Sequence, residues 1–526
     1  MSTGVRPGQP RRGQPRRGQP RRGQPWRGQP RRGGVAAGPS PATLQPAAPP
    51  PSARRRAARL RTGHRRPGWS AAWPVTGFLL LYPLWWALGL ADYMPIILLV
   101  PMALRLYSWR ANGRPISSPP GFALWLLFLL CTVASATTLG LTAPDTVVSA
   151  VSNRLLSFGD RTLTYLGITV LLIYAGNLSE DELPRRRLAR LLGLMAIYTV
   201  AGGIAAMAAP HFGFTSPLLY LLPHSFRSNL VIASAMHPGL AQVQNIVQAA
   251  GGRPKAPFDF TNTWGNCLAL LLPFLIVGWW SHGSRRERMI TAGLLVVAII
   301  PAVYSLNRGM WLGLGLSAAY LSLRMAARGR LAPLGGMVAA AAVLGIVLAA
   351  TPLSAVVSQR LANGQSDEIR SGLSTMAVKD AAASPILGYG DTRREVGSPS
   401  SIAVGPTPNC PACGQAPVGS NGQLWLLLIC VGFPGTAFYL GFFAYGGWRY
   451  RRDLSAYGMA GVLVLLLTFV FMTTYVAIGP PLTCTMLAYA LLWKNDQHRR
   501  ATAGPYGQRW LSPAGSQAAI DGGSAR

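Results

Sequence analysis

Charged residues are scarce in this chain. Of its 526 residues only 12% are Asp, Glu, Lys or Arg, whereas soluble domains carry about 25%. Half of the residues are hydrophobic. The low charge excludes an ordinary soluble enzyme, and the high apolar fraction excludes a wholly disordered chain. The composition therefore predicts a polytopic membrane protein with a basic appendage.

Acidic residues are the scarcest charged class, with 16 Asp and Glu against 49 Lys and Arg. None precedes Asp92, while 17 arginines lie between Arg6 and Arg66. Residues 6–32 repeat a pentapeptide of the type RRGQP, whose Gly and Pro oppose both helix and strand. We predict that 1–67 is a disordered cytoplasmic tether without a specific nucleic-acid partner; binding of the tail to anionic lipid or nucleic acid is the alternative.

Several chemical signatures are also missing. The chain has no GxxxxGK[ST] phosphate loop, no HExxH and no GxSxG, which disfavours an ATP-driven pump, a metalloprotease and a lipase. Of its six cysteines, Cys410 and Cys413 form one CxxC. Because a structural zinc site needs two further ligands, a local disulfide is the better prediction for this pair. We expect no metal and no other cofactor.

Twelve segments approach the roughly 20 apolar residues that a helix needs to cross a bilayer. They are 73–90, 93–107, 121–141, 163–178, 189–209, 264–281, 289–305, 309–325, 333–352, 422–447, 456–478 and 480–493. The pattern predicts an all-α membrane protein with about 12 transmembrane helices.

Basic residues follow every even-numbered segment, whereas the loops after odd-numbered segments are poor in them or mixed. Since basic loops remain in the cytoplasm, both termini are predicted to be cytoplasmic. The large loops 142–162, 210–263 and 353–421 then lie outside a cytoplasmic (inner) membrane. Within the last loop, the stretch 371–382 predicts a weakly amphipathic helix.

Arg308 is the first candidate for chemistry, in the outward turn YSLNRGMW between two apolar segments. An arginine at such a position is costly unless it is paired or hydrated. Its guanidinium presents a fixed fork of donors that suits phosphate oxygens. Interfacial snorkelling is the alternative.

A second group precedes and enters the sixth segment. Positive charge, amides on one helical face and an aromatic ring suit a sugar or a phosphate. The residues are Arg253, Lys255, Asn262, Trp264 and Asn266. Helix capping by Thr261 or Asn262 is the alternative. A third group comprises Arg370, the stretch ILGYGD at 386–391, and Asn421 at the start of the tenth segment.

Three passages resemble the O-antigen ligase and polymerase superfamily. FDFTNTWGNCLALLLPF (258–274) is similar to the family's Asn-rich start of an apolar span, and SLNRGMWLGL (305–314) to its Arg-Gly turn. EIRSGLSTMAVKDAAASPILGYG (368–390), followed by SNGQLWLLLICVGFPG (420–435), resembles its last outer loop and the following span. The resemblance covers roughly 250–440.

The resemblance implies a GT-C-like membrane enzyme that performs inverting, metal-independent glycosyl transfer. The implied donor is an undecaprenyl-diphosphate-linked glycan, and the implied acceptor is a glycan or a lipid. Membrane lipids are further expected partners. Arginines of the family hold the diphosphate, and the matching positions are Arg308, Arg253 and Arg370. The catalytic positions carried over are Arg308, Arg370 and Asn421.

The general base is where the chain departs from the family. The family's ligases have a His-Asn pair where this chain has Ser420 and Asn421. The candidates for a substitute base are a histidine of the loop 210–263, which contains His211, His224 and His237, and a carboxylate. Polymerase and ligase are not separated, because both use the same donor and differ in acceptor.

The sequence therefore divides into five parts. After the tail 1–67 come N-terminal helices and an outer loop (68–250), the ligase-like core (251–440), C-terminal helices (441–495) and a second disordered cytoplasmic tail (496–526). Two other functions remain open, namely a transporter or flippase of lipid-linked glycan and a non-catalytic scaffold of the cell envelope.

Overall fold

The structure, a computed structural model, describes residues 70–148, 150–221, 223, 235–242, 252–331, 335–336, 365–394 and 417–502. These residues form thirteen α-helices and four strands of two residues each. Several predictions lie outside the described residues: the tail 1–67, His224, Cys410, Cys413 and most of the segment 333–352.

The first six helices are α1 (Trp73–Leu80), α2 (Tyr82–Ala87), α3 (Met94–Ala111), α4 (Phe122–Ala134), α5 (Val151–Asn177) and α6 (Arg185–Ala208). The others are α7 (Thr261–Leu275), α8 (Arg285–Tyr304), α9 (Arg308–Ala326), α10 (Gln365–Ala383), α11 (Gln423–Tyr450), α12 (Ala456–Phe471) and α13 (Pro480–Thr502). A π-helical turn, Ile276–Ser281, extends α7.

Two antiparallel strand pairs connect the loops. Strand β1 (Ala241–Gln242) pairs with β2 (Arg253–Pro254). Strand β3 (Arg393–Arg394) pairs with β4 (Pro417–Val418).

Five helical segments within the described ranges are long and apolar enough to cross a membrane: Arg154–Asn177, Arg185–Ala208, Thr261–Ser281, Arg285–Tyr304 and Gln423–Tyr450. Helix α8 buries only 22% of its most apolar window. An apolar helix that is mostly exposed is expected where the surroundings are lipid. The chain thus has the helical character of a membrane protein, while twelve crossings are not confirmed.

Several predicted boundaries were wrong. The segment 73–90 is two short helices, because Pro83 lacks the amide hydrogen that would continue α1. The predicted loop 142–162 is helical from Val151. The segment 456–478 leaves the helix after Phe471.

The last predicted segment, 480–493, is shorter than the helix that the structure shows there. Helix α13 continues to Thr502, so the first residues of the predicted tail 496–526 are helical. The helix predicted at 371–382 is confirmed as part of α10.

The segments predicted to follow even-numbered spans meet at one end of the bundle, here called the basic end. Ion pairs or hydrogen bonds join them there: Arg114 with Glu182, Arg190 with Glu287, Arg324 with the Arg451 carbonyl oxygen, and Arg449 with Asp496. The alternation of loops between two ends therefore agrees with the hydropathy pattern.

The segments that follow odd-numbered spans meet at the other end, here called the opposite end. Hydrogen bonds join them as well: Ser216 to the Leu88 carbonyl oxygen, Arg253 to that of Ser305, Lys379 to Asp145, and Asn421 to the Arg370 carbonyl oxygen. Most candidate site residues lie at this end.

The core between α4, α5 and α11 is aromatic. Trp125 is fully buried and donates its indole hydrogen to Thr169 Oγ1 at 2.7 Å. Tyr165, Tyr439 and Phe442 surround its ring at centroid distances of 5.2–6.4 Å. Such pairs add to the large apolar area that aromatic rings bury, so this cluster fixes the packing of the three helices.

Helix α11 is broken at Gly432, which has φ +68° and ψ −171°. The break exposes backbone groups that the segment 385–390 satisfies. Tyr389 N donates to the Ile429 oxygen at 2.7 Å, and Phe433 N donates to the Pro385 oxygen at 2.9 Å. Irregular backbone inside a membrane bundle is tolerated where protein supplies such partners.

A buried ion pair holds the same region. Arg161 of α5 pairs with Asp391 and donates to Cys430 Sγ at 2.6 Å. Cys430 belongs to the part of α11 just before the break, so one guanidinium joins α5, α11 and the segment that follows α10.

We predict that Gly432→Ala destabilises the protein by about 2 kcal/mol or more. The left-handed φ is unfavourable for alanine, and an added Cβ would lie 2.6 Å from the Pro385 oxygen. Gly447→Ala, in the same helix with nothing within 4 Å of its Cβ position, is the matched control and should be neutral or stabilising. Denaturant unfolding in detergent measures both; equal midpoints would contradict the prediction.

Candidate functional site: arginines and amides beside a carboxyl pair

Tyr475 links the starts of two helices at the opposite end. It belongs to the non-helical segment 472–479 between α12 and α13. Its hydroxyl donates to Asn307 Oδ1, and its carbonyl oxygen accepts from Gln423 N at 2.8 Å. With only 3% of its surface exposed, Tyr475 fixes the first residues of α9 and α11 relative to each other.

The start of α9 carries the predicted Arg308 as its first residue. Asn307 caps the helix, because its Oδ1 accepts from Met310 N at 3.1 Å. The Asn307 side chain also packs closely on Gly265 of α7. Arg308 is half-buried. Because it is the first residue of α9, its positive charge lies at the positive end of the helix dipole.

The free backbone N–H groups at the start of α11 donate to carbonyl oxygens of the segment 472–479, and the cap residue Gly422 supplies no side-chain acceptor. Leu424 N donates to the Met472 oxygen at 2.8 Å. Gln423 is fully buried; its Oε1 accepts from Ala477 N at 3.0 Å, and its Nε2 donates to the Tyr165 hydroxyl at 3.2 Å. A second positive helix end is thereby held beside the first.

Asn421 and Arg370 meet next to this helix end. Asn421 Nδ2 donates to the Arg370 carbonyl oxygen at 3.0 Å and to Ser374 Oγ at 2.7 Å. Asn421 Oδ1 is buried without a hydrogen-bond partner among the described residues. The half-buried Arg370 thus lies at the start of α11, more than 50 residues earlier in the chain.

Arg253 reaches the same place from β2. Its side chain is buried, with 8% exposed, and its Nε donates to the Ser305 oxygen at 2.8 Å. Burial raises the pKa of the Tyr475 hydroxyl, while the charges of Arg370 and Arg253 oppose that rise. The charges of both guanidinium groups therefore act on the Tyr475 hydroxyl. Arg308 directly follows Asn307, whose side chain accepts from the same hydroxyl.

A pair of carboxyl groups lies at the same end. Asp92 precedes α3, Asp259 precedes α7, and the two carboxyls are hydrogen-bonded to each other. Removal from water raises the pKa of Asp92 well above its usual range, and the neighbouring Asp259 raises it further. Removal from water also raises the pKa of Asp259, although Asp92 and Lys255 oppose the rise. Within the pair, hydrogen bonding between the carboxyls thus raises the pKa of Asp92 and lowers that of Asp259.

A cavity of about 620 Å³ adjoins these groups, within the size range of small-molecule sites. It is mostly apolar, with one carboxylate and one guanidinium. Its lining is Tyr93, Ile96, Ser152, Leu155, Leu156, Ser157, Gly159, Asp160, Arg161, Leu163 and Ile478.

The segment 472–479 joins the arginines to the carboxyl groups. Tyr475 contacts the arginine side, Ile478 lines the cavity, and a Cβ at Gly479 would lie 3.8 Å from the Asp92 carboxyl group. Four residues span at most about 14 Å of extended chain. The arginines and carboxyls are thus within reach of one elongated ligand.

Other predicted binding residues lie in different surroundings. Trp264 is fully buried, its indole donates to the Thr199 oxygen at 2.8 Å, and it packs on Gly203 of α6. Close packing of α7 on α6 therefore buries the ring that the sequence predicts to help bind a sugar or a phosphate.

The two amides of α7 differ in exposure. Asn262 is half-buried in the first turn, and Asn266 is 1% exposed. Asn266 Oδ1 has no hydrogen-bond partner among the described residues. Lys255 is half-buried and acts on Asp259. Of the candidate histidines, His211 and His237 are exposed.

Sequence reasoning missed Asn307, Gln423, Tyr475 and Asp92. Two signals were available. Asp92 is the first carboxylate of the chain and stands between two apolar segments, where an ionisable residue is a functional candidate. The polar run Thr473-Thr474-Tyr475 lies inside the predicted segment 456–478. The apolar residues around it keep the average hydropathy of that segment high, so the run did not end the predicted span.

Comparisons with protein-family models, curated proteins and solved structures gave no match to this chain. Within the described ranges, no group of three or more His, Cys, Asp or Glu side chains is arranged to hold a metal ion.

We predict that Tyr475→Phe costs about 1 kcal/mol of stability, because Asn307 Oδ1 loses one of its two donors. Denaturant unfolding in detergent measures the change. Tyr445→Phe is the control, since that residue is 43% exposed and loses little. Equal unfolding midpoints for the two variants would show that the hydroxyl of Tyr475 does not fix the helix starts.

Proposed function

We propose that this chain is a glycosyltransferase of the cytoplasmic membrane. It transfers or polymerises glycan from an undecaprenyl-diphosphate-linked donor on the extracytoplasmic face, as a polysaccharide polymerase or ligase. The observation that supports this most is the convergence of Arg253, Arg308 and Arg370 with the starts of α9 and α11 around Tyr475.

A diphosphate fits this arrangement. Helix N-termini present positive dipole ends to anions, and arginines form strong charge-assisted hydrogen bonds with phosphate oxygens. In glycosyl transfer the bond between the sugar carbon and the diphosphate oxygen breaks, and the diphosphate leaves with the electron pair. Positioned guanidinium groups stabilise the charge that develops there.

The acceptor requires a base, which Asp259 supplies in this proposal. Its carboxylate takes the proton of the acceptor hydroxyl as the oxygen bonds to the sugar carbon. Asp92 hydrogen-bonds to Asp259, and both Asp92 and Lys255 favour the ionised form of Asp259. A carboxylate thus replaces the histidine that the family's ligases have.

The membrane placement extends the same proposal. Twelve crossings, a GT-C-like arrangement and cytoplasmic termini would put the basic end in the cytoplasm and the opposite end outside. The apolar polyprenyl tail would then lie along the bundle near the 620 Å³ cavity, with its diphosphate at the arginines.

The decisive variant is Arg308→Gln. Loss of one positioned donor should lower transfer by about 10²–10³-fold. In a strain that lacks the chromosomal gene, complemented at matched membrane abundance, the variant should give little long surface polysaccharide. Arg328→Gln, which removes an exposed arginine at the basic end, is the control and should complement fully.

The position of the lipid-linked donor distinguishes the alternatives. Accumulation on the outer face supports a failure of transfer. Accumulation on the inner face would instead indicate a transporter or flippase. An unchanged polysaccharide profile would contradict the role of Arg308 and favour a non-catalytic scaffold.

The base is tested by Asp259→Asn and Lys255→Gln. Asp259→Asn should lower transfer by about 10²–10⁴-fold. Lys255→Gln removes a charge that lowers the pKa of Asp259, so activity should appear only at higher pH. Release of undecaprenyl diphosphate, followed against pH in membranes loaded with donor from the deletion strain, measures both effects.

Asp145→Asn is the matched control for this test, because Asp145 is an exposed carboxylate at the same end of the bundle. Full activity of Asp259→Asn, or an unshifted acidic limb in Lys255→Gln, would exclude Asp259 as the base.

A further inference from the structure

A second cavity, of about 520 Å³, opens at the basic end of the bundle. It lies between the π-helical turn Ile276–Ser281 and the helices α8, α9 and α12. Its lining residues are Pro273, Ile276, Val277, Trp280, Ser281, Arg288, Leu321, Ser322, Met325, Arg330, Ala456, Met459 and Ala460. Among these described residues, two are basic and none is acidic.

The shape of the cavity follows from the end of α7. Pro273 interrupts the hydrogen bonding of that helix, and the following turn winds as a π-helix. A π turn is wider than an α turn and commonly occurs at functional sites. Because Gly278 lies against the backbone of Ala189 and Arg190, the turn is fixed on α6, and its other side faces the cavity.

The first arginine is held at the cavity by the start of α8. Ser284 and Glu287 form a capping box there, so the helix direction is fixed at its first residue. Arg288 follows and donates from Nε to the Trp280 oxygen at 3.1 Å. This bond directs the exposed guanidinium to the π turn that lines the cavity.

The second arginine is held by the end of α9. Gly329 has φ +74°, its N–H donates to the Ala326 oxygen at 2.8 Å, and Arg330 N donates to the Met325 oxygen at 3.1 Å. These bonds form the usual glycine-terminated helix end. They turn the chain back on α9, so that Arg330 lines the same cavity as Met325.

We propose that this cavity binds an anionic phospholipid, with the headgroup phosphate between Arg288 and Arg330 and part of an acyl chain against the apolar wall. The charged residues of the described lining are of one sign, and most of the remaining wall is apolar. Basic pockets of this kind suit anionic headgroups. A soluble anion would gain nothing from Val277, Met325 and Met459, whereas an acyl chain would bury against them.

The test uses the full-length protein in detergent, titrated with phosphatidylglycerol or with phosphatidylcholine, and bound lipid is counted by native mass spectrometry. The wild-type protein should retain phosphatidylglycerol preferentially. Each arginine near a headgroup contributes about 1 kcal/mol, or about fivefold in affinity, so Arg288→Gln with Arg330→Gln should weaken retention by roughly 30-fold.

The matched control is Arg285→Gln with Arg328→Gln. It removes the same charge from the same two segments, at exposed arginines that do not line the cavity. The control should retain phosphatidylglycerol. An equal loss in both double variants would overturn the proposal, because it would show general surface attraction.

A third variant tests the apolar part without changing charge. Ala456→Trp places a large ring in the cavity from the first residue of α12 and should also reduce retention. Equal retention of phosphatidylcholine by the wild-type protein would overturn the proposal. So would competition by inorganic phosphate as effective as that of the lipid, since it would show a site for the anion alone.

Discussion

The break in α11 at Gly432 is the constraint on which the architecture of the opposite end depends. It leaves backbone groups of Ile429 and Phe433 without helical partners, and the segment 385–390 supplies them. That segment follows α10 directly, so its docking also sets where α10 presents Arg370. The ion pair of Arg161 and Asp391 then ties the same region to α5. Breaking a buried pair of this type costs about 3–5 kcal/mol.

The two ends of the bundle use charge differently. At the basic end the loops are short. Their arginines pair with Glu182, Glu287 and Asp496, or donate to carbonyl oxygens. At the opposite end, irregular segments satisfy each other's backbone groups and bring basic and acidic side chains close together. Such an arrangement is expensive in an apolar surrounding, which is why a role in binding or chemistry is its best explanation.

Parts of this arrangement were predictable. The alternation of basic loops correctly anticipates which segments meet, since charge and hydropathy act locally along the chain. The sequence singles out Arg308 because an arginine in a turn between apolar segments is conspicuous, and its functional role stays a prediction. The burial of Trp264 was not predictable, because an aromatic residue at the start of a helix looks the same in sequence whether it faces a ligand or, as here, Thr199 and Gly203 of a neighbouring helix.

The sequence by itself determined the helical class, the apolar segments and the alternation of their connections, because each depends on composition and periodicity within some twenty residues. Only the tertiary structure decided that Tyr475 joins two helix starts and that Asp92 meets Asp259 across more than 160 residues. The same is true of the pairing of Arg288 and Arg330 at one cavity. These contacts depend on how helices distant in the chain pack, and no local pattern records that packing.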